Sequence, residues 1–473
     1  MTKNQSISPI ETLVLDIGRI AAGCSVPVYA VGGFVRDRLL GIASKDVDFV
    51  VVGDGPAFAR DAMKSLGGHG YVVYEKFGTA SFFLNDYKFE FVSARTESYR
   101  DSSRKPEVAR TDLASDLSRR DFTINAMAME ISGRFGEIVD PYDGGDDLKK
   151  KTIRTPLDPN KTFEEDPLRI LRAARFASQL GFHIHPKTLE AMQNQRQRLK
   201  IVSQERITDE LLKILSHPKP SVGFRILRDT QVLGGVLPEL AALIGVEQRD
   251  THHHKDVLEH TLKVVDNIAK EDGSLLLRFA ALVHDIGKPR VKRFVEGVGW
   301  TFHNHEQVGE RMLHKTCARL KLPNEFLKYG QELTRLHMRP IQLISEDVTD
   351  SAIRRLLFHA GERIDDLMLL CRADITSGNP DRVKQHLANF RYVTRRMKEV
   401  EEKDRMRAFQ SPVRGDEIMA LCSLAPSPLV GKIKKLIEEA ILDGLIPNEH
   451  DAARAYLLEN KDAWMAPAAR EKE

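Results

Sequence analysis

The sequence predicts an α+β protein, with a small mixed-sheet head carrying helices followed by a long all-α remainder. Two observations carry this. Up to about residue 150, short β-type runs alternate with helical stretches, and beyond residue 160 nearly every apolar residue falls on a helical period. A composition of 42% apolar and 29% charged residues over 473 positions is that of an ordinary globular chain, long enough for about three domains.

In the head, Val28–Val31, Asp46–Val52, Tyr71–Tyr74, Ser81–Leu84 and Tyr87–Val92 read as strands. Val35–Leu40, Pro56–Leu66 and Phe122–Met129 read as helices, and Ser103–Leu117 as a charged, mobile loop. Turn-forming breaks fall at His217–Ser221, Ser423–Pro428 and Ile446–Asn448. The expected domains are a head over 1–150, an elongated helical neck over 151–222, a helical body over 223–395 and a helical tail over 396–473. No repeat of 20–50 residues appears, and Ala468–Glu473 should be disordered.

Several classes are excluded. No stretch approaches the roughly 18 unbroken apolar residues of a membrane span, and Met1–Ile10 lacks an apolar secretory core. Cys24, Cys317, Cys371 and Cys422 are scattered and form no CxxC pair, which fits a reducing compartment, the cytoplasm. The net charge of +3 points to no partner by itself, so a nucleic-acid partner requires a local basic surface.

The chemistry begins at Asp46-Val47-Asp48. Strand period places Asp46 and Asp48 on one face and Val47, Phe49 and Val51 on the other. Adjacent like charges repel in a sheet, and a pair of divalent cations turns that cost into a site for in-line phosphoryl transfer. Solvated aspartates at a strand start are the plain alternative. Upstream, Val31-Gly32-Gly33-Phe34-Val35-Arg36-Asp37 reads as strand, glycine turn and helix, a setting in which phosphates approach the backbone and Arg36 supplies a fork. Glu90 alternates with Phe89 and Phe91 and either completes the metal site or pairs with Lys88.

Residues 31–48 (VGGFVRDRLLGIASKDVD) and 119–126 (RRDFTINA) resemble the class II tRNA nucleotidyltransferases, the CCA-adding and poly(A) polymerase family within the polymerase-beta superfamily. The likeness runs through most of the chain. It implies that Gly32, Gly33 and Arg36 contact nucleotide, that Asp46 and Asp48 hold Mg²⁺, and that Glu90 is the third carboxylate. Arg120 would bind the incoming nucleotide, with Asp121 and Asn125 near its sugar and phosphates.

Glu164–Arg175 reads as one helix with proline in its first turn, with Asp166, Arg169, Arg172 and Arg175 at spacing three. A ladder of surface salt bridges is the plain reading. Cytosine and adenine, however, each pair an amino donor with a ring-nitrogen acceptor, and an Asp–Arg pair complements both. Guanine and uracil would leave unmatched polar groups costing about 1–3 kcal/mol each. The family's nucleotide-selecting EDxxR motif matches Glu165–Arg169, and by resemblance Arg172 and Arg175 also line the nucleotide site.

Downstream, His260 lies on the apolar stripe of Val257, Val264 and Ile268, and another apolar helix ends in His284-Asp285. With His305, His337 and Asp374, this resembles the HD-domain metal-dependent phosphohydrolases and implies a second divalent metal. A metal-free module that helps hold tRNA is the alternative. His252, His253 and His254 read as polar residues before a helix. Lys432, Lys434 and Lys435 form a basic face that either meets tRNA phosphates or is simply solvated.

The activity implied is template-independent addition of C and A to tRNA 3′ ends from CTP and ATP, releasing pyrophosphate. Three relatives of that activity remain open: CC-only addition, A-only addition and bacterial poly(A) polymerase. The last is disfavoured because Tyr74–Thr79 lacks the basic, phenylalanine-containing stretch expected after the DxD strand. From another class, the chain would be mainly an HD phosphohydrolase or a tRNA-binding module.

Overall fold

The computed structural model of the protein describes residues 8–100, 103–250, 253–345, 349–376, 380–404 and 410–465. The expectations for His252 and Ala468–Glu473 lie outside them. The chain divides into two compact units, Met1–Pro238 and Glu239–Glu473.

The first unit opens with Pro9–Gly23 (α1), held by a capping box in which Ser8 and Glu11 satisfy each other's backbone N–H. A seven-stranded sheet follows, in the order β3-β4-β5-β2-β1-β8-β9. Its strands are Val28–Val31 (β1), Asp46–Val51 (β2), His69–Tyr74 (β3), Thr79–Leu84 (β4), Tyr87–Ser93 (β5), Ala128–Glu130 (β8) and Ile138–Val139 (β9). Arg95–Arg100 (β6) and Ser103–Arg110 (β7) form a separate hairpin. Only the β2–β5 pair of the large sheet is parallel. Gly33–Leu40 (α2) and Gly55–Leu66 (α3) stand between the first strands.

Strand alternation sorts β2 and β5 as expected. Val47, Phe49, Phe89 and Phe91 are fully buried, and Phe49 stacks on Phe91 with ring centroids 4.7 Å apart. Phe82 from β4 stacks on Phe91 at 5.5 Å. This aromatic layer makes one face of the sheet a rigid floor and leaves the acidic residues on the other.

Three expectations need correction. Phe122–Met129 is not a helix: Thr123–Asn125 is a single 3₁₀ turn, and Ala128–Glu130 is a strand paired with β1, Ala30 opposite Met129. An apolar run without polar alternation has no period to read, and the open edge of β1 captures it. Ser103–Leu117 is not one loop. It contains β7 and then Leu113–Ser118 (α4), capped by Asp112, whose carboxylate accepts from Ser115 N–H at 2.8 Å. Glu164–Arg175 is not one helix either. Gly144–Lys149 (α5) is followed by Pro159–Glu165 (α6), which ends at Asp166, and Leu168–Leu180 (α7) restarts after Pro167. Proline has no N–H and pushes the residue before it out of the helical region, and Asp166 sits at φ −134°, ψ 95°.

The unit continues with Thr152–Ile153 (β10) paired to His183–Ile184 (β11), then Pro186–Gln195 (α8), Gln204–Ser216 (α9), Pro220–Asp229 (α10) and Leu233–Val236 (α11).

After Pro238–Ala241 (α12), the second unit is helical apart from two hairpins, Glu247–Asp250 (β12) with His253–Asp256 (β13) and Arg293–Val295 (β14) with Gly299–Thr301 (β15). Its first helices are Val257–Lys270 (α13), Leu275–Val283 (α14), Lys288–Val291 (α15), His305–Arg319 (α16), Asn324–Leu336 (α17) and Arg339–Ser345 (α18). Asp350–Ala360 (α19), Ile364–Asp374 (α20), Pro380–Asp404 (α21), Gly415–Cys422 (α22), Pro428–Leu442 (α23) and His450–Met465 (α24) complete it. Residues 395 and 396 both lie inside α21. Among the described residues, no helix is long and apolar enough to cross a membrane.

Candidate functional site

In the head, parallel pairing of β2 with β5 sets Glu90 level with Asp48 and Lys88 level with Asp46. Both local readings of Glu90 hold together, since Lys88 Nζ lies 3.1 Å from its Oε2 while Asp48 stands alongside. Asp48 is exposed. Even so, dehydration by the surrounding groups, reinforced by the charges of Glu90 and Asp46, raises its pKa against the pull of Arg120 and Lys88. Three crowded carboxylates are a hard, all-oxygen donor set of the kind that suits Mg²⁺, and a cation would relieve the repulsion that Asp48 registers.

The glycine turn closes the other side. Val31 is paired with Asp48, and Gly32 follows at φ 67°. A Cβ at Gly32 would stand 3.0 Å from Arg120 Nη1 and 4.0 Å from Asp48 Oδ2. Both the backbone conformation and this close approach require glycine. Gly33 begins α2, where no side chain caps the N-terminus.

Arg36, Asn125, Asp121 and Arg172 form one hydrogen-bonded chain, buried at its first three members and part-exposed at Arg172. Arg36 Nη1 donates to Asn125 Oδ1 at 2.8 Å, and Asn125 Nδ2 donates to Asp121 Oδ1 at 3.0 Å. Arg172 donates through Nε and Nη2 to Asp121 Oδ2, at 2.8 and 2.5 Å. Burial opposes the charge on Asp121, but Arg172 and these hydrogen bonds outweigh it and hold the carboxyl at a pKa of about 2. Arg120 is aimed by Asp116, whose fully buried carboxylate accepts from both Arg119 and Arg120.

In the neck, Asp166 Oδ1 accepts from Leu168 N–H at 3.2 Å and so caps α7, and its Oδ2 faces Arg206 Nη2 at 3.6 Å. Arg169 is buried and donates to two carbonyls, Thr162 O at 3.3 Å and Arg119 O at 2.5 Å, tying α7 to the head. Arg175 pairs with the buried Glu210 at 3.1 Å. The guanidiniums of Arg36, Arg172 and Arg175 all lie over the Phe176 ring, at 5.2, 5.5 and 4.3 Å from its centroid.

In the second unit, all six histidine and aspartate candidates converge. His260 comes from α13, His284 and Asp285 follow α14, His305 opens α16, His337 follows α17 and Asp374 ends α20. Two triads share Asp285: His260 with His284, and His305 with His337. The Nδ1 atoms of His284, His305 and His337 each face a backbone carbonyl at 2.7–2.9 Å, and that of His260 faces Thr376 Oγ1 at 2.7 Å. Each Nε2 is thereby turned inward, the tautomer and orientation that metal-binding histidines adopt. His284 Nε2, Asp285 Oδ1 and Asp374 Oδ1 are buried without a hydrogen-bond partner. His260 Nε2 does stand 2.8 Å from Asp374 Oδ1, but without the alignment a hydrogen bond needs. Such orphaned atoms in an N/O donor set fit a divalent metal.

Without a cation, burial opposes charge on His284, but Asp285 and Asp374 outweigh it and hold its pKa at about 10. Burial, with the charge of His284, drives His337 down to about 3 and keeps it neutral. Gly287 makes the convergence possible, because a Cβ there would fall 2.1 Å from His305 O.

Asp116, Phe176, Glu210 and Lys288, whose Nζ lies 2.7 Å from Asp285 Oδ2, were not singled out from the sequence. Glu210 alone left a signal there, as a charge on the apolar stripe of Ile207, Leu211 and Ile214.

Comparison with known proteins places this geometry. Family models match residues 28–154 as "Poly A polymerase head domain", 181–244 as "Probable RNA and SrmB- binding site of polymerase A" and 257–379 as "HD domain". The chain is 37% identical to a multifunctional CCA protein of Vibrio parahaemolyticus, over 73% of this chain and 84% of that one. It is 32% identical to an A-adding tRNA nucleotidyltransferase of Deinococcus radiodurans, over 90% and 94%. The fold matches a Bacillus stearothermophilus CCA-adding enzyme solved with CTP, at TM-score 0.67 and 24% identity over 96% and 98% of the two chains. It also matches a tRNA nucleotidyltransferase solved with a primer tRNA and an ATP analogue, at TM-score 0.57 and 25% identity over 80% and 99%.

The depressed pKa of Asp121 carries a stability prediction. Its contribution is complete above the unfolded carboxylate value of 3.8 and is lost as pH falls through about 2. Asp121→Asn is expected to destabilise the first unit by about 2–3 kcal/mol at pH 7. Denaturant unfolding of the variant and the parent at pH 7 measures this, equal midpoints would contradict it, and the difference should narrow as pH falls below 3.8.

Proposed function

The chain belongs to the tRNA nucleotidyltransferase family that shares the poly(A) polymerase head, and we propose that it adds C and A to tRNA 3′ ends from CTP and ATP, with release of pyrophosphate. One juxtaposition supports this above all: Asp46, Asp48 and Glu90 line one patch of the sheet, with Arg120 lying across Gly32 beside them. Asp46, Asp48 and Glu90 would hold Mg²⁺. Bound there, divalent cations lower the pKa of an attacking hydroxyl and stabilise a leaving pyrophosphate.

The chain's own groups do the rest. Gly32 lets a ligand approach the backbone closely, and the start of α2, which no side chain caps, leaves backbone N–H groups open to phosphate oxygens. Arg120, held by Asp116, directs its charge toward the same place. The chain from Arg36 through Asn125 and Asp121 to Arg172 fixes the wall between head and neck, and of the three guanidiniums over the buried Phe176 ring Arg172 is the part-exposed one that can meet the nucleotide. Asp166 offers the acceptor and Arg169 the donor that read the amino group and ring nitrogen of C or A. Two of Arg169's five N–H donors are taken by carbonyls, which holds the guanidinium plane still.

A second reading, addition of A alone, is favoured by one observation: the A-adding relative aligns over 90% of this chain, against 73% for the CCA relative. For the HD site, the shared Asp285 and the inward Nε2 atoms support a metal-dependent phosphohydrolase beside the transferase. We place both activities in the cytoplasm, consistent with four unpaired cysteines.

Four outcomes test these proposals. Asp46→Ala should abolish nucleotide incorporation with Mg²⁺ while leaving the circular dichroism spectrum unchanged, and retained incorporation would reject the metal role. With tRNA ending before CCA, tRNA ending after CC and an unrelated RNA, each given one labelled NTP at a time, product length separates CCA, A-only and poly(A) addition. In the same assay Asp166→Ala should lower the preference for CTP and ATP over GTP and UTP by about tenfold or more, and unchanged preference would count against the protein template. For the HD site, hydrolysis of 2′,3′-cyclic AMP by one water to a 2′- or 3′-monophosphate, with added Mn²⁺ or Ni²⁺, is expected, and Asp285→Ala should end it. No ring opening by the parent protein would dispose of that activity.

A further inference from the structure

We propose that a basic groove formed by α13, α20 and α21 binds the phosphodiester backbone of single-stranded RNA and leads its terminal phosphate to the histidine–aspartate site. The inference rests on the phosphohydrolase reading of that site and names its substrate class: an RNA end rather than a free nucleotide.

The groove has a volume of about 780 Å³ and lies wholly within the second unit. Lys270, Arg372, Arg391, Arg395 and Lys398 line it against a single carboxylate, Glu271, which Arg372 engages at 3.0 Å. All five cations are solvent-exposed. Among the described residues, Lys270 and Lys398 have no carboxylate partner. Arg391, Arg395 and Lys398 stand at i, i+4 and i+7 of α21, so they form one stripe roughly 10 Å long. Phe390 and the neighbouring leucines make an apolar floor. A cationic rim along an apolar trough is the arrangement that tracks a single-stranded backbone, and even with Glu399 3.9 Å from Arg395 the rim keeps an excess of positive charge that suits a polyanion.

The groove adjoins the metal ligands through two elements. Arg372 and Ala373 line it, and the next residue, Asp374, faces His260 and His284. Asn267 also lines it and donates to Ala373 O at 3.0 Å, two turns along α13 from His260. The cationic stripe of α21 is itself roughly 10 Å long, more than the single phosphate of a mononucleotide can occupy. A chain of nucleotides spans it.

The test uses the full-length protein and the double variant Arg391→Glu/Lys398→Glu, which touches no metal ligand. The two substrates are 2′,3′-cyclic AMP and an oligoribonucleotide of about eight residues ending in a 2′,3′-cyclic phosphate. The parent protein should show a KM for the oligonucleotide at least about tenfold lower than for cyclic AMP, and the variant should lose that advantage together with part of its salt dependence. Turnover of cyclic AMP should be unchanged. Equal KM values in the parent, or an equal loss on both substrates, would overturn the groove. Should neither substrate be hydrolysed, the phosphohydrolase reading fails on its own. Fluorescence anisotropy of the labelled oligonucleotide at about 50 and 200 mM salt then decides whether the groove binds RNA. Unchanged affinity of the oligonucleotide for the variant overturns that.

Discussion

The first unit depends on one buried carboxylate. Asp121 receives Arg172 from the neck, Asn125 from the following turn and its own neighbour's N–H, at 2.5–3.0 Å. Such a group is tolerable in a dry interior only when every lone pair is occupied. Meeting that condition brings α7 against the head at a defined register, and Arg169, reaching Arg119 O, reinforces it. The residues proposed to read the base and those proposed to hold the triphosphate thus share a frame that side-chain fluctuation does not easily loosen.

Both candidate centres are built from groups that are unfavourable together. Asp46, Asp48 and Glu90 crowd one face of a sheet whose opposite face is a packed aromatic layer, so the strands cannot rotate to relieve them. In the second unit, four imidazoles and two carboxylates converge with three polar atoms left unsatisfied. Folded proteins rarely retain such arrangements without use for them, because each unmatched polar atom costs stability. The two centres divide the chemistry by donor type, all-oxygen in the head and mixed nitrogen and oxygen in the helical unit, which suits hard cations in one and transition metals in the other.

Arginine is the recurring device. Arg120, Arg169, Arg172 and Arg175 are each fixed by a carboxylate or carbonyl before any ligand arrives. A planar, permanently charged fork held in this way needs little reorganisation on binding an anion or a base edge. Asp116 and Glu210 act only through the guanidiniums they orient.

Period and short spacing were enough to place the acidic pair on one strand face, the glycine turn before it and the His284-Asp285 step at a helix end. Those signals depend on a few consecutive residues and on geometry common to all strands and helices. Other features depended on distant partners. Whether 128–130 became strand was decided by the free edge of β1, and the helix expected through 164–175 broke because Pro167 cannot donate where a continuous helix needs it. Phe176, Asp116 and Glu210 gained their roles only when separate elements met, as did the convergence of His260, His305, His337 and Asp374, drawn from four different helices. Local sequence sets which way a side chain points from its own backbone. What it then faces is set by packing, since close-packed interiors admit only a small number of mutual placements.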